Sequence, residues 1–142
     1  MRVMFDTNVF SNLADQRIDP ARIPAEWKPV ATYLQWHEIQ ATKDPVIRAK
    51  IVAVFHEHLP EKVPTIAVWD VTAWDESIWA EPGNVYLSIL EEMNRVRFHR
   101  NNMVDAVIAE ACVRGRLGLV TNDRNLADAA AAHGVQVFNV ER

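Results

Sequence analysis

Val3-Met4-Phe5-Asp6-Thr7-Asn8-Val9-Phe10 is an apolar run that stops at a carboxylate, crosses three polar residues and turns apolar again. Residues 3–5 read as a short buried strand that carries one negative charge to its C-terminal tip. Val9, Phe10 and Leu13 then fall at spacings that suit a short helix over 8–14, which leaves Asp6, Thr7 and Asn8 as the turn between them. In an open parallel α/β sheet, such strand-to-helix turns gather along one edge, where ligands bind. The question for every later acid is whether it can reach Asp6.

Working outward, β-rich or compact apolar runs at 30–34, 65–69, 117–121 and 135–139 predict further strands. Pro20, Pro24 and Pro29 mark residues 15–29 as a surface excursion that interrupts regular pairing, with a helical piece near Ala21. A helix beginning near Trp36 puts Glu38 in its first turn. Asp44-Pro45 restarts a helix whose stripe is Ile47, Ile51, Val54 and Phe55. Thr72 and Glu76 suggest a cap for a helix carrying Ala73, Ile78 and Trp79, and Pro82-Gly83-Asn84 is a turn. Val85, Ile89, Leu90 and Met93 mark another helix, followed by a basic connector over 95–102. Met103, Val104, Val107, Ile108, Ala111 and Cys112 form a helix closing at Gly115, and Leu126, Ala127, Ala130 and Ala131 form the last, ending before Gly134. The β-α alternation of the C-terminal third predicts right-handed parallel crossovers and a three-layer α/β/α domain spanning 1–142.

Asp6, Glu38, Asp105 and Asp123 all stand where a strand hands over to a helix or where a helix begins. Each has a plainer role to weigh. Asp6 could cap the helix after it, Asn122 or Asp123 could cap the alanine-rich helix, Asp105 could answer a helix dipole, and Glu38 could be a solvated surface acid. Asp105 lies beside the apolar stripe of its helix, which turns it partly inward. Taken together, four acids in one site repel one another and raise each other's pKa unless a cation compensates. Oxygen ligands without convergent Cys or His suit Mg²⁺ or Mn²⁺. Such a site activates water and neutralises a phosphoryl group, the chemistry of phosphodiester hydrolysis. Thr7, Asn8, Thr121 and Asn122 offer hydrogen bonds beside these acids or to a substrate. The run Asn94-Arg95-Val96-Arg97-Phe98-His99-Arg100, through Arg95, Arg97 and Arg100 with Phe98 among them, could hold an RNA backbone, and a solvated connector is the alternative. Trp69, Trp74 and Trp79 read as core or a partner surface, His56 and His58 as solvated, and Cys112 as packing.

The composition narrows the setting. A 142-residue chain with 49% hydrophobic and 24% charged residues is long enough for one folded domain and is not disordered in character. A formal net charge of −4 gives no global basic field, so a polyanion would need a local basic patch and metal ions. One cysteine excludes an intrachain disulfide and a Cys-rich zinc site. The apolar run at residues 1–10 is too short for a secretory core, and no stretch approaches the ~18 apolar residues of a membrane span. A cytoplasmic protein without a membrane partner is expected.

Phe5-Asp6-Thr7-Asn8, Glu38 after the second strand, Asp105-Ala106-Val107-Ile108-Ala109-Glu110-Ala111, and Leu119-Val120-Thr121-Asn122-Asp123 resemble, in order and spacing, the PIN-domain family and its VapC-type toxin ribonucleases. The resemblance covers nearly the whole chain. It implies a parallel sheet of about five strands in the order 3-2-1-4-5, Mg²⁺ or Mn²⁺ at the acidic edge, and endonucleolytic RNA cleavage. Asp6 and Asp105 would be the principal metal ligands, and Glu38 and Asp123 would complete the site or orient the attacking water. It also implies a cognate antitoxin whose tail enters the groove, and a homodimer. Leu126 departs from the aromatic residue frequent at its position, and the proline-containing stretch before Glu38 is individual to this chain. Two rivals remain. A haloacid-dehalogenase-like phosphatase would need an aspartate at position 8, where Asn8 stands, and a silent PIN-like module would bind RNA or protein without turnover.

Overall fold

The computed structural model describes residues 1–68, 71–72 and 77–140. β1 (Arg2–Phe5) is the middle strand of a five-stranded parallel sheet. It pairs with β2 (Lys28–Ala31) on one side and β6 (Gly118–Val120) on the other, and β3 (Glu61–Lys62) and β7 (Val137–Phe138) form the edges. The order β3-β2-β1-β6-β7 is the expected 3-2-1-4-5 arrangement of a PIN-like three-layer domain.

Period-2 alternation sorts the sheet residues between two cores. Val3, Phe5 and Val120 pack under α1 (Thr7–Ala14) and α3 (Pro45–His58), through Val9, Phe10, Leu13 and Ile51. Met4 and Leu119 face the other way, toward α4 (Tyr86–Val96), α5 (Asn102–Gly115) and α6 (Arg124–Ala132), through Ile89, Met93, Ile108 and Leu126. Cys112 is fully buried in this second core, as packing requires.

Several elements differ from the sequence reading. The second strand runs through Pro29, which pairs with Val3. Lys28 N–H donates to the Met1 carbonyl at 2.8 Å, so by alternation the missing N–H of Pro29 faces the side where β3 pairs only from Val30 onward. The strand ends at Ala31, and α2 (Tyr33–Gln40) starts earlier than Trp36 because Thr32 and Gln35 form a capping box. Glu38 therefore sits beyond the first turn. The third strand of the main sheet is Glu61–Lys62, a charged and exposed edge with no apolar signal. Thr65–Ile66 (β4) instead pairs in parallel with Ser77–Ile78 (β5) as a separate ladder. Ile78 is thus in a strand, not a helix, because Ala67 N–H and the Ile78 carbonyl complete that ladder at 2.8 Å. Trp79 is exposed, which removes it from the core. Trp69, Ala73, Trp74 and Glu76 lie outside the described residues. Gly115 is the last helical residue of α5, and the left-handed position after it falls to Arg116, with φ of 52°.

Candidate active site

Asp6 follows β1 directly and caps α1. Its Oδ1 accepts from Thr7 N–H at 2.8 Å, and its Oδ2 accepts from the Thr121 hydroxyl at 2.8 Å. Thr121, at the end of β6, also accepts the backbone N–H of Asp123 at 3.0 Å, while Asp123 Oδ1 caps α6 through Leu126 N–H at 3.2 Å. The capping roles of Asp6 and Asp123 are therefore real, and they coexist with a shared position at the C-terminal ends of neighbouring strands.

Glu38 arrives from α2. Gln35, fully buried on the same helix, donates from Nε2 to the Phe5 carbonyl and to Met4 Sδ, each at 3.1 Å. This ties α2 to the end of β1, next to Asp6. Asp105 arrives in the first turn of α5 and lies partly buried, as its place beside the apolar stripe suggested.

All four acids line one cavity of about 270 Å³, together with Thr7, Asn8, Arg97, His99, Asn101, Asn102 and Asn125. Thr121 stands behind Asp6. Asn122, Arg95 and Arg100 do not line this cavity. His99 belongs to the basic run 94–100 that the sequence offers for a phosphate backbone, whereas Asn101, Asn102 and Asn125 carry no such signal. Asn125 Nδ2 donates to the Met93 carbonyl at 3.1 Å, which binds the start of α6 to α4.

The electrostatics are one-sided. Burial, then Asp6, Asp123 and Glu38, push the Asp105 carboxyl up from 3.8 to about 8. Burial and the neighbouring Asp6 push Glu38 up to about 7, against a lowering influence from the Thr7 hydroxyl, even though the Glu38 side chain is open to solvent. Asp6 is also raised, chiefly by burial, with the bonds from Thr121 and Thr7 pulling it back and Asp123 adding to the rise. Among the described residues, no arginine or lysine forms an ion pair with any of the four. Glu110, a fifth acid on the same helix as Asp105, is buried but meets Arg114 at 2.9 Å.

Among the described residues, Thr7 Oγ1 is the one buried side-chain polar atom without a hydrogen bond; it lies near enough to the Glu38 carboxyl to influence it but does not bond it. Among the described residues, no three acids or histidines form a ready-made ion cage. The donor set nonetheless fits a hydrated Mg²⁺ or Mn²⁺, because Mg²⁺ keeps several of its waters and takes only one or two carboxylates directly. Such waters would find acceptors in the remaining acids and a partner in Thr7.

No family model and no curated protein matches the chain. Solved structures do. The structure of VapBC2 from Rickettsia felis, bound to a DNA fragment from their promoter, matches over 98% of both chains at 15% identity with a TM-score of 0.63. VapBC-5 from Mycobacterium tuberculosis, of the VapBC family of toxin-antitoxin systems, matches over 99% of this chain and 98% of that one at 20% identity and a TM-score of 0.54. VapBC-1 from nontypeable Haemophilus influenzae matches over 98% of both at 14% identity and a TM-score of 0.53. The chain has a VapC-type PIN fold. In this PIN fold the connection leaves β1 outward to β2 and β3 and returns to β6, so the strand order reverses between β1 and β6. Asp6 and Asp123 mark that switch point, and the acidic cavity opens over it.

Proposed function

We propose that the chain is a Mg²⁺- or Mn²⁺-dependent endoribonuclease, and that it is the toxin of a type II toxin-antitoxin pair acting on RNA in the cytoplasm. The observation that carries this reading is the convergence of Asp6, Glu38, Asp105 and Asp123, from four separate segments, on one cavity, with no arginine or lysine among the described residues in an ion pair with them. Asp6 and Asp105 would hold the metal, and Glu38 and Asp123 would complete its surroundings or orient the water. When bound, the ion supplies a polarised phosphoryl oxygen and a more acidic water.

The chain's own residues do the rest. Thr121 and Thr7 N–H fix the Asp6 carboxylate in one rotamer, so it is presented to the cavity without reorganisation. Glu38, on the cavity wall with Asp6, is placed to orient an attacking water and accept its proton. Arg97 on the wall would meet the phosphate backbone. An antitoxin partner is supported by the toxin-antitoxin systems that share this fold, and a homodimer is the assembly we expect.

The test is cleavage of a total RNA pool by protein freed of any co-expressed inhibitor, with Mg²⁺, with Mn²⁺ and with EDTA, beside Asp105→Asn. Metal-dependent cleavage lost in the variant supports the reading. Equal cleavage by the variant, or in EDTA, overturns it. Binding of RNA without cleavage in any metal would establish the silent-module alternative.

A further inference from the structure

The connector from α4 to α5 is a built loop. Its backbone is extended at Arg97, and Asn102, only 5% exposed, donates from Nδ2 to the Arg97 carbonyl at 2.8 Å and to Asn94 Oδ1 at 2.9 Å. Asn102 N–H also donates to the His99 carbonyl at 2.9 Å. The result holds Arg97 and His99 on the wall of the acidic cavity.

The His99 ring has a defined tautomer. Asn101 N–H donates to its Nδ1 at 3.1 Å. A backbone N–H can only donate, so Nδ1 carries the lone pair, and the neutral ring holds its proton on Nε2. The wall therefore offers the Arg97 guanidinium and, from His99, an Nε2–H donor.

We propose that His99 is a substrate-binding residue that donates its Nε2–H to a phosphoryl oxygen of a single RNA strand, beside Arg97. This rests on the ribonuclease reading above. The structural requirement is narrow: a near atom that accepts from Asn101 and a far atom that donates.

Asparagine and glutamine separate these two duties. Asn at position 99 keeps an acceptor close to the backbone for the loop and loses the far donor, whereas Gln restores a donor at the reach of Nε2. Cleavage kinetics and fluorescence binding of a mixed-sequence single-stranded RNA of about 12 nucleotides are measured on the full chain with Mg²⁺. For His99→Asn, KM and the binding constant are expected to rise about tenfold, the worth of a hydrogen bond to a charged group. Its kcat stays within about twofold, the pattern of a lost binding contact. His99→Gln recovers most of the loss. Wild-type behaviour of His99→Asn, or the reverse order with His99→Gln the weaker, overturns the proposal, since the reverse order means that only the loop bond matters. Wild type that binds this RNA without cutting it overturns the ribonuclease reading alone, and the order of affinities still decides the role of His99. Wild type that neither binds nor cuts overturns both.

Discussion

The Thr121 hydroxyl donates to Asp6 Oδ2 at 2.8 Å across 115 residues of chain and accepts Asp123 N–H at 3.0 Å in the same place. One hydroxyl thus sets two of the four acids relative to each other. Thr121→Val keeps the shape and removes both bonds. It is expected to cost about 1.5–3 kcal/mol of stability, as for a buried bond to a charged group. Mn²⁺ affinity should fall about 10- to 100-fold, as for groups that orient metal ligands. Urea unfolding and Mn²⁺ titration check the two parts separately.

The raised acids make stability depend on pH. Asp105 and Glu38 hold protons more tightly folded than unfolded, with pKa values of about 8 and about 7 against ordinary values of 3.8 and 4.5. Between those limits the folded chain carries more protons, so the contribution is complete below the unfolded values and is lost as pH rises through about 7 to 8. In chelator, the unfolding midpoint should fall steadily from acid to mildly alkaline pH. Asp105→Asn should flatten the upper part, and Mg²⁺ should restore the midpoint most at high pH. A midpoint that climbs with pH in chelator would contradict this account.

Gln35 couples the helix of Glu38 to the strand of Asp6. Its Oε1 accepts from Thr32 N–H at 2.9 Å while its amide reaches the Phe5 carbonyl at 3.1 Å. Gln35→Ala leaves that buried carbonyl without this donor and opens the capping box, at a cost of about 2–4 kcal/mol. Metal-dependent activity should fall with it at temperatures where the variant is still folded by circular dichroism. Full activity there would show that Glu38 needs no such anchoring.

Arg116 occupies a left-handed backbone position with φ of 52°, at a helix end where glycine is the usual occupant. Arg116→Gly should stabilise the chain by up to about 1 kcal/mol through relief of that conformation. A scanning calorimetry comparison decides it, and a lowered midpoint would mean that unfolded-state entropy outweighs the relief.

The sequence disclosed those parts of the fold that carry their own pattern. β1, β6 and β7 are compact apolar runs, and α3, α4 and α5 announce themselves by periodicity or by Asp44-Pro45. β3 stayed hidden because Glu61 and Lys62 pair only by backbone at an open edge, and β5 because Ile78 takes its structure from a partner distant in sequence. The early start of α2 was readable in Thr32-x-x-Gln35, a capping pattern masked by the apolar run around it. At the site, Asp6, Asp105 and Asp123 stand at the strand end and helix starts where the sequence puts them, whereas Glu38 lies beyond the first turn of α2. Gln35 and Asn102 were not legible, because their roles arise from tertiary hydrogen bonds that no periodicity announces, and His99 was legible only as a member of the basic run 94–100.

The charged edge at β3 bears on how copies of this chain meet. Its two residues are exposed, and Arg2 Nε already bonds Glu61 Oε2 at 2.8 Å. So short and so polar an edge offers no template for another strand. Two copies that associate on this flank must therefore do so through helix faces, and the molecule is protected there against the runaway strand addition that leads to fibres.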